Sequence, residues 1–266
     1  LEISSLAPPN SPRPPSFNPS QFSVLKKHIP NIITCCNLIS GCCAVGAAFH
    51  GHFVWAVIMV IAGAVFDFFD GMVARLLHVS SPIGKELDSL ADVVTFGVAP
   101  SAMLFQMLGH SMPHTPWVGA LLGIDGIASV VPFIPYLAFI MAAFSALRLA
   151  KFNLDDRQTS SFIGLPTPAN ALFWCSIALS GADTILWTSS LLLMGLFMSL
   201  LLVAEIPLFA LKFKNLSWAD NAVKYIFLAG CVALIILLGK ACFAGIVVWY
   251  VLLSIANNLI NARKEA

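Results

Sequence analysis

From Pro30 onward the chain is a succession of apolar segments, each long enough to cross a bilayer. A transmembrane helix needs about 20 mostly apolar residues. Eight candidates meet this requirement, at residues 30–49, 53–77, 85–108, 131–151, 166–182, 187–210, 222–239 and 242–260. Hydrophobic residues make up 59% of the chain and charged residues 10%, which is too apolar for a soluble fold of 266 residues to bury. The sequence therefore predicts an all-α, polytopic transmembrane helical bundle with about eight spans.

The positively charged residues fall almost entirely on one side of this predicted bundle. With the N-terminus inside, thirteen of the 14 Lys and Arg residues lie on the inner side, and Lys240 alone lies outside. Short loops rich in Lys and Arg stay in the cytoplasm, so we expect both termini to be cytoplasmic. No basic run is longer than the pair Lys26 and Lys27, which excludes a nucleic-acid interface.

Four aspartates occur within 26 residues, in two helices that otherwise suit lipid. On the second helix, spacing i, i+3, i+4 and i+7 places on one face Asp67, Asp70, Gly71 and Ala74. On the third helix, spacing i, i+4 and i+8 places on one face Gly84, Asp88 and Asp92. Ser81 followed by Pro82 is a typical N-cap and first-turn pair. The short connection makes the two helices antiparallel neighbours, so we expect the two acidic stripes to face each other.

Converging carboxylates in an apolar bundle need a counter-charge. An aspartate at mid-membrane costs about 2.5–3.5 kcal/mol, and neighbouring carboxylates also repel each other. Arg75 and Lys85 are too few to neutralise four of them, whereas one or two divalent cations with oxygen ligands would do so. Two metal ions that bridge phosphates suit attack on a pyrophosphate-activated lipid, with Asp92 as the candidate general base. The alternative is a solvated turn whose acids only dip into the interface.

The spacing D-x2-D-G-x2-A-R-x8-G-x3-D-x3-D, from Asp67 to Asp92, resembles the signature of the CDP-alcohol phosphotransferase family. The resemblance implies two divalent ions, Mg²⁺ or Mn²⁺, bound to the substrate pyrophosphate and held by Asp67, Asp70, Asp88 and Asp92. It also implies that Asp92 is the catalytic base. The nucleotide of CDP-diacylglycerol is then expected to lie against Gly71, Ala74, Arg75, Gly84, Asn31 and Thr34.

Three flanking segments narrow the resemblance. ELDSLADVVTFGVAPS (86–101), ALRLAKFN (146–153) and FIGLPTPAN (162–170) resemble the integral-membrane phosphatidylserine synthases, as do Asn31, Thr34 and Asn37. This resemblance implies transfer of the phosphatidyl group of CDP-diacylglycerol to the hydroxyl of L-serine, giving phosphatidylserine and CMP. It also implies a homodimer in the bilayer. We expect the bacterial inner membrane as its location, with the active site on the cytoplasmic side.

L-Serine is a zwitterion, so its pocket needs a cationic partner for the carboxylate. Arg148, at the cytoplasmic end of the fourth predicted helix, is suited to a bidentate contact with serine or with a lipid phosphate. Asn153, just past Arg148 in sequence, and Lys85 are further candidates for binding serine or phosphate. The alternative is that Arg148 only extends to the interface and helps to set the topology.

Two other classes of function stay open at this stage. A relative could use glycerol 3-phosphate, inositol phosphate or choline as the acceptor. A phosphorylated acceptor would require more cationic residues than Arg148, Lys151 and Arg157, and choline would favour an aromatic cage. A divalent-cation transporter would place acids at several depths across the membrane, whereas here they cluster toward one face and Asp125 and Asp183 lie in outer loops.

The chain divides by composition into three regions. Residues 1–28 are rich in proline and serine and form a predicted N-terminal arm. Residues 29–210 form a predicted catalytic membrane core of six helices, and residues 211–266 add two C-terminal transmembrane helices.

Overall fold

In the computed structural model, residues 19–112, 131–154, 162–209 and 217–265 are described, and nearly all of them are helical. The α-helices are, in chain order, α1 (Pro19–Phe49), α2 (Phe53–Leu76), α3 (Pro82–Asp92), α4 (Ala99–Ser111), α5 (Ile140–Leu154), α6 (Thr167–Ser180), α7 (Thr188–Val203), α8 (Trp218–Leu238) and α9 (Cys242–Glu265). A π-helical turn, Val93–Val98, joins α3 to α4 without a break. A 3₁₀ segment, Val131–Phe139, leads into α5, and two short 3₁₀ turns follow at Ala182–Thr184 and Gly239–Ala241. The all-α membrane bundle predicted from the sequence is confirmed.

Five segments of the described chain are long and apolar enough to cross a membrane, namely His28–Phe49, Phe53–Leu76, Pro82–Ser111, Pro132–Leu154 and Asn221–Asn261. Helices α6 and α7, with 14 and 16 residues, are shorter than the roughly 20 residues that a full span needs. The last segment folds back on itself as a hairpin of α8 and α9, since Gly230 lies against Trp249 and Gly245 against Leu234. The described helices therefore establish an integral membrane protein, while eight complete spans stay a prediction.

The first helix begins earlier than the sequence predicts. Helix α1 starts at Pro19 rather than near residue 30, so residues 19–28, which the sequence analysis assigned to the arm, are helical. Proline suits the first position of a helix, because its missing N–H would have no partner there, and residues 20–29 contain no further proline. The helix also continues through Pro30. Residues 1–18 of the predicted arm lie outside the described part of the chain.

The predicted start of the third helix is confirmed. Ser81 is extended, with φ −141° and ψ 142°, and its Oγ accepts a hydrogen bond of 3.0 Å from the backbone N–H of Gly84. This side chain satisfies one of the free N–H groups of the first turn of α3, and Pro82 occupies the position where a donor is not needed. The acidic stripe on α3 thus follows a well-defined helix start.

Helix α7 ends at Val203 rather than near residue 210. Ala204 has ψ 140°, and Pro207–Leu208 then forms a short strand, β2, antiparallel to Phe162–Ile163, which is β1. The backbone N–H of Gly164 donates to the carbonyl of Ile206 at 3.0 Å, and that of Leu165 donates to the carbonyl of Leu201 at 2.9 Å. These bonds attach the segment before α6 to the end of α7.

Small side chains allow the central helices to approach closely. The most extensive helix pair is α1 with α2, and α4 packs against α1 and α6. Ala44 and Ala48 of α1, Ala56 of α2 and Ala102 of α4 are fully buried in this core. Close packing of small residues is a major source of helix association in lipid. Many large apolar side chains on the outside of the bundle are exposed, as expected for a surface that faces acyl chains.

The π-helical turn is held in a notch between α1 and α2. A Cβ added to Gly63 would lie 2.5 Å from Cγ2 of Thr95 and 2.9 Å from Oδ1 of Asn37. A Cβ added to Gly41 would lie 2.9 Å from the Cα of Thr95. Thr95 itself is fully buried. Glycine at both positions therefore allows the backbone of the turn to contact two helices at once.

We expect Gly63→Ala to destabilise the protein by about 1–3 kcal/mol, because the added methyl group overpacks the contact with Thr95. Thermal unfolding in detergent measures this effect. Gly46→Ala is the matched control, since a Cβ at Gly46 would meet nothing within 4 Å. Equal stability of the two variants would contradict the close contact between Gly63 and Thr95.

Candidate active site

The structure brings three of the four aspartates together at one end of the bundle. Asp67 and Asp70 lie one turn apart on α2, and Asp88 faces them from α3. One carboxylate oxygen of each residue lies within 4.8 Å of those of the other two. Asp70 is buried, and Asp67 and Asp88 are half-buried. This arrangement is the facing pair of acidic stripes that the spacing predicts.

Asp92 lies at the junction of α3 and the π-helical turn, outside the group of three. It interacts electrostatically with Asp67, Asp88 and Asp70, and only 9% of its surface is exposed. Nδ2 of Asn37 donates a hydrogen bond of 3.1 Å to Oδ1 of Asp92. Asp92 is therefore adjacent to the cluster and held by an amide from α1.

A second hydrogen bond fixes the orientation of this amide. The hydroxyl of Thr95 lies 2.7 Å from Oδ1 of Asn37 and 3.1 Å from its backbone carbonyl oxygen, and it donates to them. The side-chain oxygen of Asn37 is thereby directed to Thr95 and its NH₂ group to Asp92. Asn37 and Thr95 are both fully buried. The sequence analysis did not select Thr95, because a single threonine in an apolar run carries no distinctive signal.

The residues expected to contact the nucleotide line one cleft beside the carboxylates. The cleft has a volume of about 260 Å³ and lies between α1, α2 and the start of α3. Its lining includes Asn31, Thr34, Gly71, Ala74 and Gly84, together with Asp70, Asp88 and Lys85. The hydroxyl of Thr34 donates to Oδ2 of Asp70 at 2.6 Å. Arg75 does not line the cleft, but its Nη1 lies 4.0 Å from where a Cβ at Gly71 would be.

Arg148 is a buried cation close enough to interact with Asp92. It lies on α5 with 7% of its surface exposed, and it is attracted electrostatically by Asp92. The guanidinium carbon lies 5.7 Å from the centre of the Phe152 ring. Nε of Arg148 has no hydrogen-bond partner among the described residues. The buried position argues against the alternative in which Arg148 only extends to the interface.

Asn153 and Lys85, the other candidates for binding serine or phosphate, contact each other. Nζ of Lys85 donates to the backbone carbonyl of Asn153 at 3.1 Å, and Nδ2 of Asn153 donates to Oγ of Ser89 at 2.8 Å. These bonds tie the end of α5 to α3. In this arrangement the amide of Asn153 contributes to the structure around the site.

Asp183 and Glu205 lie away from the cluster. Asp183 follows the far end of α6, and its carboxylate lies 3.4 Å from Nδ1 of His110. Glu205, beyond the end of α7, is exposed. Asp125 and Arg157 lie outside the described residues. Within the described part of the chain, the acids thus do not form a path across the bundle.

Comparisons with known proteins agree with this site. A sequence model of the CDP-alcohol phosphatidyltransferase family matches residues 27–203, which include the aspartate cluster, the cleft and Arg148. The chain belongs to the CDP-alcohol phosphatidyltransferase family. The family match ends at the last residue of α7, so α8 and α9 lie beyond it.

Several relatives carry the name CDP-diacylglycerol–serine O-phosphatidyltransferase. The Helicobacter pylori (strain 26695) protein is 30% identical over 256 residues, which cover 89% of this chain and 96% of the relative. The Bacillus subtilis protein is 35% identical over 153 residues, covering 58% of this chain and 75% of the relative. The Saccharomyces cerevisiae protein is 40% identical over 187 residues, covering 63% of this chain and 60% of the relative.

The donor set of the family site fits a divalent cation. Carboxylate oxygens are the ligands that Mg²⁺ and Mn²⁺ prefer. Asp67, Asp70 and Asp88 supply such oxygens within a small volume, and the buried Oδ1 of Asp88 has no hydrogen-bond partner among the described residues. The cluster is therefore able to hold a metal ion.

We expect Asp67→Asn and Asp88→Asn each to weaken Mn²⁺ binding at least about tenfold, because each change removes an anionic oxygen ligand. Electron paramagnetic resonance of free Mn²⁺, titrated into the purified protein in detergent, measures the affinity directly. Glu205→Gln is the matched control, since it removes an exposed carboxylate outside the cluster. Wild-type Mn²⁺ affinity in both aspartate variants would contradict the metal site.

Proposed function

We propose that this chain is a CDP-diacylglycerol–serine O-phosphatidyltransferase, which transfers the phosphatidyl group of CDP-diacylglycerol to the hydroxyl of L-serine and releases CMP. The observation that chiefly supports this function is the cluster of carboxylates beside a cleft lined by family-motif residues. The identity of the relatives supports serine as the acceptor.

In the proposed reaction the hydroxyl oxygen of serine forms a bond to the phosphatidyl phosphorus. The bond from that phosphorus to the CMP oxygen breaks, and the hydroxyl proton passes to Asp92. Asp92 suits this role because it lies beside the metal-binding cluster without belonging to its closest group of three. A general base must reach the proton of the attacking group, and catalysis of this kind contributes about 10²–10⁴-fold.

The metal ions of the proposed site are two Mg²⁺ or Mn²⁺ ions held by Asp67, Asp70, Asp88 and Asp92, and when bound they would offset charge on the pyrophosphate. The cytidine end of the substrate occupies the cleft, against Asn31, Thr34, Gly71, Ala74 and Gly84, with Arg75 close to Gly71. At Gly71 the lack of a side chain leaves room for a ligand at the helix backbone, since a Cβ there would meet only Nη1 of Arg75, at 4.0 Å. Arg148 then neutralises the serine carboxylate or the lipid phosphate on the side of Asp92.

Asn37 and Thr95 act in this proposal as positioning residues for Asp92. The amide of Asn37 occupies Oδ1 of Asp92, so that Oδ2 is the oxygen left for the metal or for the serine proton. Thr95 prevents the amide from turning over, because its hydroxyl donates to Oδ1 of Asn37. Side chains that orient such ligands typically change activity by about 10–100-fold when removed.

The proposed topology and location are supported by the distribution of Lys and Arg residues and by the bacterial relatives. We propose eight spans with both termini in the cytoplasm, since all Lys and Arg residues except Lys240 then lie inside. The bacterial relatives support a bacterial inner membrane, with the site at its cytoplasmic face. We also propose a homodimer, an N-terminal arm over residues 1–28 whose last part continues as α1, a catalytic core over residues 29–210, and two added helices over residues 211–266.

The acceptor is tested with the purified full chain, CDP-diacylglycerol and separate labelled acceptors, with and without Mn²⁺. We expect serine to give labelled phospholipid, and glycerol 3-phosphate, inositol phosphate and choline to give little. Turnover should disappear with a chelator, because the carboxylates then lack their counter-ions. A preference for another acceptor would overturn the choice of serine and keep the phosphotransfer chemistry. Metal uptake into vesicles without turnover would favour a transporter.

We expect Thr95→Val to lower kcat by about 10–100-fold while the KM for CDP-diacylglycerol changes little, because the amide that holds Asp92 loses its orientation. Thr95→Ser is the matched variant, since it keeps the hydroxyl and loses only the methyl group. A kcat of Thr95→Ser close to that of the wild type would show that the hydroxyl group, rather than the packing of the methyl group, is responsible. If both variants lose kcat equally, the hydroxyl has no positioning role.

A further inference from the structure

Buried polar atoms that lack a partner are concentrated on one face of α6. In the described part of the chain, the buried side-chain atoms without a hydrogen-bond partner are Asp88 Oδ1, Arg148 Nε, Thr167 Oγ1, Asn170 Nδ2 and Oδ1, Trp174 Nε1 and Trp249 Nε1. Thr167, Asn170 and Trp174 follow the spacing i, i+3 and i+7, which places them on one side of the helix. Each is fully buried.

Such groups are rarely left unpaired in native proteins, because a buried donor or acceptor without a partner costs stability. Asn170 is the strongest case, since both its oxygen and its nitrogen are without a partner. The other two site residues with such atoms, Asp88 and Arg148, belong to the proposed catalytic centre. Thr167 and Asn170 likewise lack the polar partner that a buried hydroxyl and a buried amide need.

The start of α6 is itself suited to an anionic group. Helix α6 has 14 residues, and Pro166 at its N-cap makes no side-chain hydrogen bond to the first turn. The N-terminal end of a helix carries a partial positive charge and free N–H groups that attract anions. Thr167 is the first residue of this helix, and Asn170 lies one turn further on.

The position of α6 connects these residues to the reaction. Helix α6 packs against α2, which carries Asp67 and Asp70, and against the π-helical turn that directly follows Asp92. Helix α5, which carries Arg148, packs against the same turn. The bonds of Gly164 and Leu165 to the end of α7 fix where α6 begins. The helices that carry Thr167, Asn170 and Arg148 thus both pack against the turn after Asp92.

We propose that the first two turns of α6 form the acceptor subsite, where Thr167 and Asn170 bind the amino-acid end of L-serine. This inference rests on the proposed function. The amide of Asn170 offers a donor and an acceptor, and these match a carboxylate and an ammonium group on one ligand. The phosphate of a phosphomonoester accepts hydrogen bonds, so it would use only the NH₂ group of Asn170. Arg148 supplies the charge for the carboxylate, and the subsite directs the serine hydroxyl toward Asp92.

The test compares Asn170→Leu and Thr167→Val with the wild type. Both substitutions keep the side-chain shape and remove the polar atoms. The purified full chain is assayed with CDP-diacylglycerol and Mn²⁺. We expect kcat/KM for L-serine to fall by about 10–100-fold, because each variant loses a hydrogen bond to a charged ligand. The KM for CDP-diacylglycerol should stay within about twofold of the wild-type value, since the proposed contacts of that substrate do not include Thr167 or Asn170. Stabilisation by L-serine in thermal unfolding, measured with CDP present, should weaken in parallel.

Serinol, which replaces the carboxylate of serine with a hydroxymethyl group, makes the readout specific. We expect the preference of the wild type for serine over serinol to shrink in both variants. Ser176→Ala is the matched control on the same helix: its hydroxyl donates to the carbonyl of Lys240 at 2.8 Å, away from the first two turns. It should lower stability and leave the serine preference unchanged.

Equal losses with serine and serinol, or an unchanged kcat/KM for serine in both variants, would overturn the subsite. If Asn170→Leu does not fold, Thr167→Val decides the question alone. The failure of the proposed function has a different signature, since the wild type would then make no phosphatidylserine from L-serine at all.

Discussion

The structure depends on bringing carboxylates together inside an apolar bundle. Asp67, Asp70 and Asp88 have oxygens within 4.8 Å of one another, on helices whose other faces meet lipid or core. Charges at this depth lose hydration, and like charges repel, so the cluster is unfavourable without a cation. The helices must nevertheless keep these carboxylates in place before a metal ion or substrate binds. A short, capped connection from α2 to α3 achieves this by fixing the two stripes opposite each other.

Helix α1 stabilises the cluster from the side. Thr34 donates to Asp70 and Asn37 donates to Asp92, so polar groups of one helix orient acids on two others. Asn37 is itself oriented by Thr95, which fits between Gly41 and Gly63. Polar networks in a low-dielectric interior are strong when every member has a partner. The π-helical turn contributes because its extra residue per turn changes the direction of the following side chains, a feature frequent at functional sites.

Sequence periodicity is sufficient for the parts of this fold that depend on local chemistry. It predicts the helical bundle, the start of α3 at Ser81 and the facing stripes of Asp67, Asp70 and Asp88. It fails at Val203, where the end of α7 depends on the pairing of β2 with β1, and it also misses the start of α1 at Pro19. It also does not identify Thr95, because the role of this residue arises from two glycines on other helices. The number of spans stays a prediction, since hydropathy does not distinguish a short helix within the bundle from a full span.

The polar groups around the site also bear on the class of acceptor. Lys85 and Asn153 are joined to each other and to Ser89, and Lys151 is exposed, so Arg148 is the buried cation of the described site. A phosphomonoester brings about two negative charges at neutral pH and would need several cationic partners to leave water. A zwitterion has no net charge, and one guanidinium with neutral donors and acceptors is enough to match it. Among the described residues Arg148 is the one buried cation, and this favours an amino-acid acceptor over a phosphorylated one.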